Sequence, residues 1–133
     1  MAEPRVLRIP AHLSSVALLA AAVREEGGAA GLAEDALIDF ELAVVEAANN
    51  IVAHGYAGSS GDIELRAVQD SGLLIELIDM GRPIPAGLLD NPPTVGTDAE
   101  RGRGLAIIRS CVDRLDYFSV EGANRLRLFK ARG

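Results

Sequence analysis

Asp62-Ile63-Glu64-Leu65-Arg66-Ala67-Val68-Gln69 is followed by Asp70-Ser71-Gly72 and then by Leu73-Leu74-Ile75-Glu76-Leu77-Ile78. The first segment alternates, with Ile63, Leu65 and Ala67 set against Asp62, Glu64 and Arg66, which is the period of a half-buried strand. The second is a more continuous apolar run, as in a central strand. Asp70-Ser71-Gly72 is turn chemistry, so the two segments form a hairpin of antiparallel neighbours.

Outward from this hairpin the pattern changes. Upstream, Ala33 or Glu34 to His54 is the longest helical pattern, with Leu37, Val44, Ala48 and Ile51 recurring on one face. Before it, Leu13 to Glu26 is an Ala- and Leu-rich helix that Ser14 or Ser15 could cap and Gly27-Gly28 would end. Arg5 to Ile9, stopped by Pro10, reads as a short strand. Downstream, Met80 to Gly102 holds four prolines (Pro83, Pro85, Pro92 and Pro93) and has no apolar period. A loop of that length inside a compact domain is commonly functional. Gly104 to Leu115 returns to helical spacing. Tyr117 to Glu121 and Arg125 to Lys130 alternate, with Gly122-Ala123-Asn124 as the turn. The order β, α, α, β, β, loop, α, β, β predicts an α+β domain, a sheet with helices packed on one face, not an alternating doubly wound fold.

The bulk numbers narrow the function. With 133 residues the chain fits one domain. A net charge of −6 argues against direct nucleic-acid binding, which needs a basic surface. One cysteine, Cys111, cannot form an internal disulfide and reads as a small core filler. Met1-Ala2-Glu3-Pro4-Arg5 lacks the pattern of a secretory leader, and the apolar run Val16 to Val23 is too short to span a bilayer. The expectation is a cytoplasmic protein with no membrane partner.

The long helix carries the first chemical signal. Glu46 and Asn50 are one turn apart, roughly 6 Å along the axis, and with Asp39 they lie opposite the apolar stripe. His54 lies further round the same polar side. This stripe reads either as a solvated face or as a metal-and-base pair: an Asn carbonyl oxygen suits Mg²⁺, and a carboxylate nearby can take a proton. Asn49 is turned further off the stripe than Asn50. The second signal is Asp79-Met80-Gly81, an acid at the end of a buried strand that can accept from an amine, or simply start a turn. The third is Gly102-Arg103-Gly104-Leu105 at the start of a helix, where backbone N–H groups favour an anion. Arg101 and Arg103 add positive charge there. No Gly-Lys-Ser/Thr occurs, which excludes a P-loop.

In this order the three segments resemble the GHKL (histidine-kinase-like) ATPase superfamily, in particular its anti-sigma-factor serine kinase branch. Glu46-Ala47-Ala48-Asn49-Asn50-Ile51-Val52-Ala53-His54-Gly55-Tyr56 is similar to that branch's Glu-x-x-x-Asn-x-x-x-His box. Asp79-Met80-Gly81 is similar to the second box, and Gly102 to Asp113 to the Gly-x-Gly-Leu helix ending in an acid. The resemblance covers residues 5 to 131. It implies a two-layer sandwich of the Bergerat type with a mixed, mostly antiparallel sheet.

It also implies an ATP site. Asn50 would hold Mg²⁺ and Glu46 would be the general base. Asp79 would read the adenine amino group, Gly81 would let the base pack closely, and Met80 to Arg101 would be the lid. Gly102 and Gly104 would cradle phosphates, with His54, Arg101, Arg103 and Leu105 alongside. The implied partners are a sigma factor and a STAS-type anti-anti-sigma antagonist that presents a serine or threonine. A homodimer through the first strand and helix is a further implication. There are two departures: Pro83 stands where members often have glycine, and Gly122-Ala123-Asn124 stands where they often have Gly-Thr, whose Thr assists adenine binding. The rival readings are a module that binds ATP without turnover and the catalytic domain of a histidine kinase. The latter needs a phospho-accepting His on a dimerising helix, a place that neither His12 nor His54 fits.

Overall fold

The computed structural model describes residues 3–91, 96 and 99–132. Five strands form one sheet: β1 (Arg5–Pro10), β2 (Asp62–Gln69), β3 (Gly72–Asp79), β4 (Arg114–Val120) and β5 (Ala123–Ala131). Their spatial order is β1-β2-β3-β5-β4. Every pairing is antiparallel, so the sheet is not mixed. Three helices, α1 (Val16–Ala29), α2 (Glu34–Asn50) and α3 (Ala99–Ser110), cover one face.

Alternation builds that face. Ile63, Leu65 and Ala67 of β2, Leu73, Ile75 and Leu77 of β3, and Leu126 and Leu128 of β5 all point inward and are buried. Leu19 and Val23 of α1 and Leu37, Phe40 and Val44 of α2 pack onto them. The outer face is polar and pairs with itself. Glu64 receives Arg8 and Arg66, and Glu76 receives Arg125 and Arg127. Arg127 and Arg114 lie over Phe118 and Phe129.

Several boundaries fall elsewhere than the sequence pattern puts them. Gly27 and Gly28 do not stop the first helix, which runs to Ala29. A Cβ at Gly27 would come within 2.4 Å of Leu37 Cδ1, so this glycine lets two helices touch. Ser15 stands at the N-cap of α1 without a side-chain capping bond. The long helix continues past Asn50 as a π-helical turn, Ile51–Tyr56, closed by Ala57 at φ 51°. Such turns are rare and recur at functional sites. The third helix begins at Ala99 rather than at Gly102 or Gly104, and ends at Ser110. It stops because the backbone of Asp113 passes into the sheet, where its N–H donates to the Phe129 carbonyl. Cys111 lies just beyond that helix and is half-exposed.

The first half of the long loop is anchored. Ile84, Leu88 and Leu89 pack against the core, and Arg109 pairs with Asp90 at 3.5 Å. Pro92 and Pro93 lie outside the described residues, as do Met1 and Ala2. Among the described residues no helix is long and apolar enough to cross a membrane.

The last hairpin turns at Glu121-Gly122, both at positive φ (53° and 82°), the geometry of a two-residue turn. Ala123 and Asn124 therefore belong to β5, not to the turn. This places Asn124 directly opposite Asp79 of β3 and Ser119 of β4.

Candidate functional site

Asp79 ends β3 and is only 6% exposed. Its Oδ1 accepts from the Gly81 N–H at 2.9 Å and from Asn124 Nδ2 at 2.9 Å. The Asn124 amide also donates to the Gly81 carbonyl at 2.8 Å, and its Oδ1 receives the Ser119 hydroxyl. With both acceptors on its nitrogen side and a hydroxyl on its oxygen side, the Asn124 side chain has one satisfactory orientation. Burial holds the Asp79 carboxyl above its ordinary pKa, while the two N–H donors pull it back. The stability this group confers is therefore greatest below the usual carboxylate pKa. It is lost as pH rises through the elevated value of the folded state. Both bonds fall on Oδ1, so Oδ2 remains to accept a donor, and Asp79 lines both a narrow cavity and an open pocket of ≈ 970 Å³ shared with Gly55, Tyr56 and Gly81.

Gly81 is fixed by its neighbours. A Cβ there would meet the Gly55 backbone at 2.6 and 2.7 Å and the Tyr56 nitrogen at 3.0 Å. Backbone cannot yield as a side chain does. Gly81→Ala is expected to cost about 2 kcal/mol or more of stability, read as a lowered midpoint in urea at unchanged slope. Two tyrosines tie down the start of the loop. Tyr56 accepts the Met80 N–H at 2.9 Å and donates to the Asp62 carbonyl at 2.7 Å, and Tyr117 accepts the Ile84 N–H at 2.8 Å. The π-helical turn brings the Gly55 carbonyl to the Arg82 N–H at 2.7 Å.

On the polar side of α2, Glu46, Asn49, Asn50 and His54 line an open cleft of ≈ 360 Å³ together with Glu100, Arg101, Gly104 and Leu105. Asn49 thus reaches the cleft despite its angle from the Glu46–Asn50 stripe. A Cβ on Gly104 would sit 3.0 Å from Glu46 Oε2, so the glycine lets the carboxylate lie close to α3. Arg101 Nε donates to Asn50 Oδ1 at 3.1 Å. Asn50 and Arg101 also line a narrow cavity of ≈ 20 Å³ with Asp79, Ile84 and Tyr117, which joins the two halves of the site.

The structure therefore gathers Glu46, Asn50, His54, Arg101, Gly104 and Leu105 around the cleft, and Asp79 and Gly81 beside it. Gly102 is buried within α3, and Arg103 is exposed; neither lines the cleft or the narrow cavity. Because α3 starts three residues before Gly102, the glycines lie inside the helix rather than at its mouth. Tyr117 is the residue that sequence reading did not place, and Asn124, which stands in the segment where the family has its Thr, reads there as part of a turn. Asn124 was discoverable as the polar residue in an otherwise alternating strand. Chemically, a buried carboxylate with a free oxygen can read an amino group, and an amide oxygen, a carboxylate and a guanidinium next to it can handle a metal-bound polyphosphate.

The histidine kinase-like ATPase domain family matches residues 9–130. The chain is 27% identical over 126 residues to "Serine-protein kinase RsbW" of Bacillus thuringiensis (strain Al Hakam), covering 87% of this chain and 78% of the relative. It is 31% identical over 94 residues to "Anti-sigma F factor" of Caldanaerobacter subterraneus subsp. tengcongensis, covering 68% and 66%. Among solved structures, the RsbU and RsbW domains of a Mycobacterium tuberculosis protein superpose with a TM-score of 0.70 at 22% identity. That match covers 98% of this chain, which spans about a third (32%) of the larger one. The sandwich, the boxes and these matches agree: the chain belongs to the histidine kinase-like ATPase (GHKL) family, with relatives named as a serine-protein kinase and an anti-sigma factor.

Proposed function

We propose that the chain binds Mg²⁺-ATP, phosphorylates a serine or threonine of a STAS-type anti-anti-sigma antagonist, and sequesters a sigma factor when that antagonist is phosphorylated. The observation that carries this reading is the convergence of Glu46, Asn50, Arg101 and Gly104 on one cleft, joined through a narrow cavity to the Asp79–Asn124–Gly81 network. The names of the relatives support the kinase and anti-sigma halves alike.

Asp79 Oδ2 would accept from the exocyclic amine of adenine. Gly81, packed without a side chain against the Gly55 and Tyr56 backbone, would hold the start of the loop beside the base. Asn50 Oδ1 fits Mg²⁺, a hard cation that takes few protein ligands and completes its shell with phosphate and water. The ion, when bound, neutralises charge on the phosphates. Glu46 would take the proton of the antagonist's hydroxyl as its oxygen bonds the γ-phosphorus and the bond to ADP breaks. Arg101 would then offset charge on the transferring group.

The site is proposed to work in the cytoplasm, without nucleic acid. β1 lies at an open edge of the sheet with Val6 exposed, and Leu13 is exposed as well, a surface on which a second copy would pair. The two departures from the family pattern, Pro83 and the missing Thr, would favour a module without turnover, and of these Pro83 remains. The missing Thr is offset by Asn124, which bonds Asp79 directly.

Incubation with Mg²⁺-ATP and a STAS-domain protein from the same cell is expected to yield a phosphoserine or phosphothreonine on that protein, detected by mass spectrometry. A chain that binds ATP in the same mixture, yet labels no antagonist, would remove the kinase claim.

A further inference from the structure

Asp79 stands on a rung of three polar side chains. In register, Asp79 of β3 faces Asn124 of β5, and Asn124 faces Ser119 of β4. The rung two residues along is Leu77, Leu126 and Tyr117. Alternation puts both rungs on the face that the helices cover. An apolar triplet would simply continue the core. Instead Asp79 is 6% exposed and Asn124 1%. Burying an amide and a carboxylate is unfavourable unless their groups are bonded.

The amide is bonded completely, and only to protein. Asn124 Nδ2 donates to Asp79 Oδ1 at 2.9 Å and to the Gly81 carbonyl at 2.8 Å, and Asn124 Oδ1 accepts the Ser119 hydroxyl. Both amide hydrogens are spent. Neither Asn124 nor Ser119 lines the open pocket of ≈ 970 Å³ or the narrow cavity beside Asp79. Asn124 therefore has no donor left for a ligand, and its effect on the site passes through Asp79. Together with the Gly81 N–H it fills Oδ1, which keeps the carboxylate from turning. Among the described residues, every fully buried side-chain nitrogen and oxygen has a partner. Oδ2 carries neither bond, so it is the oxygen that meets open space.

We infer that Asn124, held by Ser119, is a positioning residue that fixes Asp79 as an acceptor, so that the site prefers a 6-amino purine nucleotide to its 6-oxo counterpart without Asn124 touching either. An amine donates to Oδ2. A carbonyl in the same place sets acceptor against acceptor, which costs the bond and desolvates both oxygens. This rests on the nucleotide-binding reading.

The test is calorimetry of Mg²⁺-ADP and of Mg²⁺-IDP, which carries a carbonyl in place of the amine. The proteins are wild type, Asn124→Leu and Ser119→Ala, each checked for folding by circular dichroism. Leu is close to Asn in size and denies the space to water. One hydrogen bond corresponds to about a 2- to 10-fold change in affinity. The preference for ADP over IDP is expected to fall by that factor in Asn124→Leu, because ADP binding weakens while IDP binding holds or improves. A residue that merely supports the pocket would weaken both nucleotides alike, so an unchanged preference in Asn124→Leu overturns the inference. Where Asn124→Leu does not fold, Ser119→Ala decides by the same criterion, since Ser119 lies exposed on the edge strand β4. Should wild type bind neither nucleotide, the nucleotide reading itself fails, and the positioning is then read without ligand. The Gly81 amide, which donates to the same Asp79 oxygen, is expected to exchange with deuterium several-fold faster in both variants. Equal protection in all three proteins rejects the positioning role.

Discussion

Asp79→Asn is expected to abolish detectable nucleotide binding while leaving the domain folded. The amide oxygen can still accept from the Gly81 N–H and from Asn124, the two bonds that Oδ1 now receives. The other atom becomes an NH₂ and faces the base's amine as donor against donor. Losing a charge-assisted bond and burying an unpaired donor together cost about 3 kcal/mol or more, on the order of 100-fold in affinity. Calorimetry with ADP reads this directly, and an Asn variant that binds within a few-fold of wild type would remove Asp79 from the site. The pH dependence supplies a second readout. The folded-state pKa of Asp79 is raised, so its ionisation weakens the fold as pH climbs above the usual carboxylate range. The Asn variant lacks that buried charge. Its Tm is expected to equal or exceed the wild-type value near neutral pH, with the gap closing on acidification. Nucleotide binding by wild type should fall over the same acidic range, as protonation removes the acceptor.

Much of this site was written locally. The box from Glu46 to His54 needs only one helix to assemble, and Leu37, Val44, Ala48 and Ile51 are buried on the opposite side as their spacing demands. The Asp62–Ile78 hairpin fixed the centre of the sheet for the same reason: alternation is a property of each strand alone. What was not legible depended on distant residues. Gly27 and Gly28 look like a helix end, yet Leu37 of the next helix needs the missing Cβ at Gly27. Intrinsic propensity lost there to packing. The Asn124 role turned on one boundary, because reading Gly122-Ala123-Asn124 as a turn removes Asn124 from the sheet and from Asp79. Positive φ at Glu121 and Gly122 makes the turn two residues long and settles the register. The Arg101–Asn50 bond joins positions 51 apart in sequence, which no local pattern encodes. Nor does any helix signal place the start of α3 at Ala99, ahead of the glycines.

Glu46→Gln is expected to separate binding from chemistry. Gln keeps the length and shape of the side chain, so its contact with Gly104 of α3 is retained and the cleft should keep its form. Affinity for Mg²⁺-ATP is expected to stay within about 3-fold of wild type, since no phosphate contact is removed. Transfer to the antagonist should fall by roughly 10² to 10⁴, the usual contribution of a positioned general base. Single-turnover formation of phosphorylated antagonist at saturating ATP is the appropriate measurement, because it excludes product release from the rate. A companion variant, Gly104→Ala, tests the positioning side. Its Cβ would sit 3.0 Å from the carboxylate, and the flexible end of Glu46 would have to give way. Transfer is then expected to drop about 10-fold or more without loss of the base, since small misplacements at a reacting centre are costly. If Glu46→Gln instead transfers phosphate at close to the wild-type rate, the carboxylate is not the base. If neither wild type nor variant transfers, while both bind ATP and switch partners equally, the cleft serves recognition alone and the chain is a nucleotide-gated binding module.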